Sequence, residues 1–302
     1  MCTAQIRGYS APRDRGMETV DEIDSAVANA PGGSGAVCIQ PGSYLLELSL
    51  DWIVLRASEN IHHLLGDSHV TLIDEPLGKF VQSQALHDLR NLFSRLSGTT
   101  GIGRAYAVRL TDDPDLVDIA FQLSDGRVLL EAVPAAGSFG ECFGTVGGLV
   151  SGLSNSSGQA LVDGGARRMR ALTGYDRVTL RCGELRAESS RGAFAGAADP
   201  RDLPTLIVDA DAEGVGLFPR EPDESSAHDA LLRAPTQPNR QKLREQGVRA
   251  MLRVPFVANG LQCEFCCESR TPRAANFELH AAAELFAQMF ALRFELDQAT
   301  NR

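Results

Sequence analysis

Alternating and helically spaced apolar positions predict a first mixed domain at residues 39–135. Strand-like runs span residues 44–57, helical spacing of leucine and phenylalanine follows at 86–96, and three further strand-like runs lie within 105–132. Asp125-Gly126 lies between the last two runs, and this dipeptide is typical of a tight β-hairpin turn. Strands interrupted by short helices and ending in a meander indicate an α+β domain.

A second mixed domain is predicted at residues 159–302. A stretch rich in glycine and serine at 136–158 precedes it, and we interpret this stretch as a linker. The domain opens with a helical pattern, continues with two pairs of strand-like runs and ends in an amphipathic helix at about 275–298. Residues 1–38, polar at first and rich in proline, glycine and serine at their end, are predicted to form a flexible N-terminal arm.

The charge balance limits the kinds of partner. The chain carries a net charge of −10 and no uninterrupted basic run, so nucleic acid and anionic membrane surfaces are not expected as partners. No apolar stretch is long enough to cross a bilayer, which takes about 20 residues. The odd number of cysteines, seven, favours reduced thiols, and we expect a cytoplasmic protein.

Candidate metal and catalytic residues are few. Cys263 and Cys266 form a C-x-x-C spacing, but on a strand these positions point to opposite faces, so buried structural cysteines are predicted rather than a redox or zinc site. His62 and His63 are adjacent in a predicted helix without a third ligand nearby, and no metal is expected. No nucleophile, base and orienting group can be combined from their spacing, so the chain is not predicted to be an enzyme.

Five short motifs, in order along residues 39–298, resemble those of the PAS and GAF domains of bacterial phytochromes. They are Ile39-Gln40-Pro41 with Tyr44-Leu45-Leu46, Ala57-Ser58-Glu59-Asn60-Ile61, Leu172-Thr173-Gly174-Tyr175-Asp176-Arg177-Val178, Asp202-Leu203-Pro204, and Gly247-Val248-Arg249-Ala250 with Cys267 and Pro272-Arg273. The resemblance implies a PAS domain followed by a GAF domain, with the N-terminal arm threaded in a figure-of-eight knot. Neither the third domain nor the kinase output of that family is expected in this chain.

The resemblance also implies a site for a linear tetrapyrrole (bilin) in the GAF domain. The chromophore-binding positions it implies are Cys2, Tyr175, Asp202, Leu203, Pro204, Asn239 and Ser269. The candidate attachment cysteines are Cys2 and Cys38; Cys2 is either an incidental N-terminal thiol or, if an adduct forms, the covalent anchor. Asp202 is either a pyrrole ligand or a loop carboxylate that caps a backbone turn.

Several of the family's bilin-binding groups are missing from the sequence. Pro238-Asn239 stand where members that attach the bilin through the GAF domain have a cysteine followed by a histidine, and Glu268-Ser269 stand where the family has its later histidine pair. The family's arginine-bearing helix after Pro204 is also missing. We therefore expect a sensory module with a degenerate bilin pocket and no cofactor, which signals through a separate partner protein. The alternative is a functional red/far-red photoreceptor that holds biliverdin or another linear tetrapyrrole through a non-standard attachment.

The last predicted helix carries two sets of large apolar residues. Phe286, Phe290 and Phe294 recur at a spacing of four, and a second set of Leu285, Met289, Leu292 and Leu296 lies beside them. One set can cover the sheet of the second domain, and the other would be exposed unless a partner covers it. The three phenylalanines are accordingly predicted to form a homodimer interface, and the alternative is that both sets pack within one chain.

Overall fold

A computed structural model describes residues 37–96, 101–137, 140–196, 203–220 and 226–300. The strands are β1 (Tyr44–Leu48), β2 (Val54–Ser58), β3 (Gly103–Val108), β4 (Val117–Ser124), β5 (Arg127–Pro134), β6 (Arg177–Cys182), β7 (Leu185–Ser190), β8 (Leu206–Ile207), β9 (Leu217–Phe218), β10 (Ala250–Ala258) and β11 (Leu261–Ser269). The helices are α1 (His62–Leu65), α2 (His69–Leu72), α3 (Ser83–Leu96), α4 (Glu141–Ser151), α5 (Gly158–Thr173), α6 (Gln237–Glu245) and α7 (Phe277–Thr300), with 3₁₀ turns at Leu77–Lys79 and Ser226–Asp229. The predicted α+β class is confirmed.

The first sheet has the strand order β3-β4-β5-β1-β2-β9, and its neighbouring strands are antiparallel. Apolar side chains alternate along its strands, so Leu46 and Leu130 enter a core that also holds Trp52 and Phe121. Helix α3 packs its apolar face against this core. The predicted hairpin turn at Asp125-Gly126 is present, and both residues have the positive φ that such a turn requires.

The second sheet has the order β7-β6-β11-β10-β8 and carries α5 and α7 on one face. Along β10 and β11, Leu252, Val254, Phe265 and Cys267 point into the core on that side. This core and the helices above it contain the largest cluster of buried side chains in the described part of the chain. The other face of this sheet, called the outer face below, holds the candidate site.

Helix α4 lies within the stretch that was predicted as a linker. The helix packs against α5 and α7 and buries Val146, and the Glu278 carboxylate accepts hydrogen bonds from the backbone N–H groups of Gly140 and Cys142 at 3.0 Å each. Because glycine disfavours helix, the sequence pattern did not indicate this element. Its contacts with the two longer helices explain why it forms.

The structure corrects the assignment of Phe286, Phe290 and Phe294 to a homodimer interface. All three are buried within their own chain, and the Phe290 ring centroid lies 5.4 Å from that of Phe265 on β11. The second apolar set of α7 is the exposed one, with Leu292 at 57% and Leu296 at 65% exposure. Gly165 on α5 decides this orientation, because a side chain there would collide with the Phe290 ring.

The structure also corrects the expectation of seven reduced thiols. Cys182 on β6 and Cys263 on β11 are directly opposed in register with Cα atoms 4.3 Å apart, and their sulfur atoms form a disulfide. Cys266 points into a different cluster from Cys263, as the alternation of side chains on a strand predicted. Cys266 and Cys267, the neighbouring cysteines of β11, are free thiols.

A crossing segment joins the two sheets. This segment, residues 208–236 and described except for 221–225, leaves the second sheet after β8 and adds β9 to the first sheet beside β2. Residues 38–40 lie between two of its parts, because Ile39 exchanges backbone hydrogen bonds of 2.9 and 2.8 Å with Val215 and Gln40 N–H donates to the Leu232 carbonyl at 2.9 Å. The predicted knot depends on the path of residues 1–36, which lie outside the described residues, so it stays a prediction.

Candidate functional site

Side chains of the protein itself fill part of the outer face of the second sheet. The outer cluster consists of Leu203, Ile207, Ala210, Leu243, Val248, Met251 and Cys266, with Phe194 packed against it. Met251 and Cys266 alternate with residues that enter the opposite core, which is why the strands present them on this face. Helix α6 contributes Leu243, so the cluster lies between the sheet and this helix.

The described positions implied for a chromophore do not all lie at this cluster. Leu203 belongs to it, Pro204 is the next residue and is buried, and Asn239 lies one turn before Leu243 on α6. Ser269 ends β11 three residues after Cys266 and opposite Ala250 of the helix-side core, so the alternation along the strand turns it away from the cluster; it is buried, and its hydroxyl lies 3.4 Å from an Asp176 carboxylate oxygen. Cys2 and Asp202 lie outside the described residues.

Tyr175 does not belong to the outer cluster. Its ring is buried in the core beneath α5 and α7, where burial raises the pKa of the phenol above its usual value. The Arg273 guanidinium lies 4.5 Å from the ring centroid and donates to the carbonyls of Thr173 and Gly174 at the end of α5. Tyr175 is therefore held in a structural contact with the end of a helix.

A buried ion pair lies beside the outer cluster. Arg177 Nε donates to a Glu268 carboxylate oxygen at 2.5 Å, and both side chains are almost completely buried. The Phe194 ring covers this pair, with its centroid 4.1 Å from Arg177 Cζ and 5.4 Å from Arg270 Cζ. One guanidinium nitrogen of Arg177, Nη2, is buried and has no hydrogen-bond partner among the described residues. Nothing in the sequence pattern indicated Phe194 or the burial of Arg177, since arginine on a strand normally indicates a solvent-facing position.

Arginine side chains continue along the outer face beyond the cluster. Arg181 on β6 lies directly opposite Arg186 on β7, and Arg253 on β10 forms an ion pair with Glu264 at 2.7 Å. These residues border an open depression of about 420 Å³. Guanidinium groups bind carboxylates and phosphates, so this depression favours anions.

The two neighbouring thiols of β11, Cys266 on the outer face and Cys267 on the core face, are poor nucleophiles. Burial raises the pKa of both the Cys266 and the Cys267 thiol well above the usual value. A thioether with a bilin requires a reactive thiolate that reaches the ligand. Neither residue meets this requirement in the described structure.

Cavities elsewhere in the described residues lie in the first domain, one of them of about 320 Å³ between α3 and β3, or between the sheets. The core of the first sheet encloses about 10 Å³, which at most accommodates one water molecule. Two clefts of about 400 and 550 Å³ lie at the junction of the sheets, on either side of residues 272–275. Neither cleft touches the outer cluster.

Two further findings concern metals and membranes. Within the described ranges, no three histidine, cysteine, aspartate or glutamate side chains come together in a way that could hold a metal ion. Among the same residues, no helix combines the length and the apolar character needed to cross a membrane. His62 and His63 are both exposed.

Sequence comparison finds no matching family model and no matching curated protein. Solved structures do match: the chromophore-binding domain of Stigmatella aurantiaca phytochrome P1 has a TM-score of 0.67 and 22% identity over 86% of this chain and 97% of that chain. The chromophore-binding domain of an unusual bacteriophytochrome from R. palustris has a TM-score of 0.68 and 21% identity over 88% and 96%. The photosensory core module of the Stigmatella phytochrome has a TM-score of 0.70 and 21% identity over 87% of this chain and 58% of that chain.

These matches agree with the architecture described above and identify its particular form. Two antiparallel sheets with helices, joined by a crossing segment, form a mixed α+β architecture. Its particular form is the PAS-GAF fold of bacteriophytochrome chromophore-binding domains. The predicted resemblance is confirmed at the level of the fold.

Proposed function

We propose that this chain is a phytochrome-like sensory module, without enzymatic activity, whose bilin pocket is degenerate and which signals through contacts with another protein. The observation that carries the proposal is the outer cluster. Leu203, Leu243, Met251 and Cys266 occupy the surface between the second sheet and α6, where the implied chromophore position Leu203 also lies. A ligand pocket in a protein has roughly 300–1,000 Å³ and buries most of its ligand. The side chains of the outer cluster take up this space.

The polar groups at this site support the same proposal. Ser269 and Glu268 occupy positions where the family has histidine, and both are committed to contacts within the protein. A bilin presents pyrrole N–H groups and two propionates, and buried propionates require cations that are not already paired. Arg177 and Arg253 already form ion pairs with Glu268 and Glu264.

The test is reconstitution with biliverdin. The chain is expressed together with a heme oxygenase, beside the chromophore-binding domain of the Stigmatella phytochrome as a positive control. We expect no red absorbance band and no zinc-dependent fluorescence of the denatured protein, because the pocket is filled and the described thiols beside it are unreactive. A red-absorbing holoprotein with a defined photocycle would contradict the proposal.

One observation favours the alternative of a functional bilin site. Arg177 Nη2 is buried without a hydrogen-bond partner, and an unpaired buried donor is costly unless a ligand completes it. A propionate could complete it if Phe194 moved aside. In that case Cys2 is the proposed covalent anchor, and a bilin adduct should be lost in Cys2→Ser; an adduct that persists would exclude Cys2.

We also propose that the chain forms a homodimer through α7. Leu285, Met289, Leu292 and Leu296 are spaced by four, three and four residues, which is the seam of a two-stranded coiled coil. All four are exposed, while the phenylalanines on the other side of the helix are buried. Pairing of two such seams would remove this apolar surface from water.

A further inference from the structure

A buried glutamate of the first sheet holds the crossing segment from the second domain. Glu131 lies in the middle of β5, and its side chain is on the face of the first sheet opposite the core formed with α3. Its two carboxylate oxygens accept hydrogen bonds from the consecutive backbone N–H groups of Leu231, at 2.7 Å, and Leu232, at 2.8 Å. The backbone carbonyls of the same two residues accept further hydrogen bonds. The Leu231 carbonyl accepts from Leu206 N–H, and the Leu232 carbonyl accepts from Gln40 N–H.

The other polar contacts between the first sheet and the crossing segment differ from this one. Gln122 donates to the Asp229 carbonyl at 2.5 Å, Ser124 donates to the Asp229 carboxylate at 2.6 Å, and Arg56 donates to the Pro219 carbonyl at 2.8 Å. In the described structure, Glu131 is the one carboxylate of the first sheet that accepts hydrogen bonds from two backbone N–H groups of the crossing segment. Its 2% exposure means that water does not share in solvating it.

Among the described residues, no cation compensates this carboxylate. The charged and titratable groups on the elements that pack around it include Glu47 and Arg56 on β1 and β2, Asp118 on β4, Arg127 on its own strand, His228, Asp229 and Arg233 on the crossing segment, and Arg104, His280 and Glu284 where β3 meets α7. Glu47 is paired with Arg56 at 3.1 Å and Arg127 at 2.8 Å, and Arg104 is paired with Glu284 at 2.8 Å. Within the described part of the chain, none of these groups forms an ion pair with Glu131. The residues directly opposite on the flanking strands, Leu45 and Ala120, do not titrate.

We propose that Glu131 is a proton-operated latch between the first sheet and the crossing segment, closed when the carboxyl group is protonated and loosened when it ionises. A charge that is buried without a cation is stabilised only by the two N–H donors, and hydrating it requires the segment to move away. The neutral acid has no charge to desolvate, and its carbonyl oxygen still accepts from one of the two N–H groups. This inference concerns the junction of the sheets and holds whether or not the outer face binds a bilin.

The direction of the pH effect follows from linkage. Burial is the larger effect and raises the pKa of Glu131 from 4.5 to about 7. The two N–H hydrogen bonds act in the opposite direction and lower this pKa. A group whose pKa is raised in the closed state binds its proton more tightly there than after opening. The closed state is therefore favoured at low pH, and this contribution is lost as the pH rises through about 7. For an opening that exposes the carboxyl group, the equilibrium constant should increase about tenfold between pH 6 and pH 8.

The experiment follows the backbone amides of Leu231 and Leu232 by NMR in the full chain. Their hydrogen-exchange rates, corrected for the intrinsic pH dependence of exchange, should rise about tenfold from pH 6 to pH 8. Glu131→Gln, which removes the titration and keeps the size, should make the corrected rates independent of pH. The control is Glu213→Gln, which changes an exposed glutamate on the same segment and should leave the wild-type dependence intact.

A second readout does not depend on the variant folding. In the wild type, the chemical shifts of the two amides should titrate together with a midpoint near 7. Corrected exchange rates that do not change with pH would overturn the latch, as would a midpoint below 5 or a pH dependence that survives in Glu131→Gln.

Discussion

Gly165→Ala should destabilise the protein although alanine is the better helix former. Gly165 lies in α5 and faces α7, and a Cβ atom at this position would be 2.5 Å from Phe290 Cε2 and 2.9 Å from Cδ2. The Phe290 ring is fully buried and packs against Phe256 and Phe265 as well as Phe294. The ring therefore has no free space into which it can rotate, and the added methyl group must displace α7 or the sheet.

The expected change in the free energy of unfolding is a balance of two opposing effects. Replacing glycine by alanine inside a helix gains about 1 kcal/mol. Overpacking a close-packed core costs about 1–3 kcal/mol, and a contact of 2.5 Å with a locked aromatic ring falls at the upper end. We expect a net loss of about 2 kcal/mol in the free energy of unfolding.

Urea denaturation followed by circular dichroism measures this free energy, with Gly147→Ala as the matched control. Gly147 is an exposed glycine of α4, and a Cβ atom there meets no atom within 4 Å, so this variant should be stabilised by up to about 1 kcal/mol. If Gly165→Ala is stabilised as much as Gly147→Ala, Phe290 does not pack against α5 and the reasoning fails. Combining Gly165→Ala with Phe290→Leu should cost less than the sum of the single changes, because the smaller side chain relieves the collision.

Two further predictions concern the helix seam and the cysteines. Leu292→Glu combined with Leu296→Glu should convert the dimer into a folded monomer, as measured by light scattering. Phe290→Glu should instead unfold the chain, because it places a charge in the core. A monomeric wild type would contradict the proposed dimer. Thiol titration of denatured protein purified in air should find five thiols without reductant and seven with it, because Cys182 and Cys263 are paired; seven thiols without reductant would contradict the disulfide.

Local sequence signals predicted most of the fold because its strands and helices are strongly patterned. The period-two runs identified the meander of the first domain, and Asp125-Gly126 identified its turn, since both residues adopt the positive φ that a tight turn needs. Helix α4 was missed because its glycines disfavour helix locally and only its contacts with α5 and α7 stabilise it. The side of α7 that is buried could not be derived from the helix alone, because both sides are apolar and Gly165, far away in sequence, selects between them.

The candidate site was predictable only where a motif marked it. Leu203 and Ser269 were found through the resemblance, and the structure brings Leu203 into the outer cluster but not Ser269. Phe194 and the buried state of Arg177 were not found, because their contact is formed by a loop that returns to the sheet after β7. Such a return depends on long-range packing and leaves no periodic signal in the sequence.

The faces that the two sheets turn away from their helices are stabilised by different interactions, and this difference bears on the proposed function. On the second sheet, apolar side chains form the outer cluster, and such packing changes little with solution conditions. On the first sheet, the corresponding face holds Glu47, Arg56 and Glu131, and the contacts of Arg56 and Glu131 with the crossing segment are directional and depend on charge. A small change in charge can therefore alter the junction of the sheets while leaving both cores packed. If the outer face has lost its ligand, the junction is the part of this fold that can still respond to the chemical state of its surroundings.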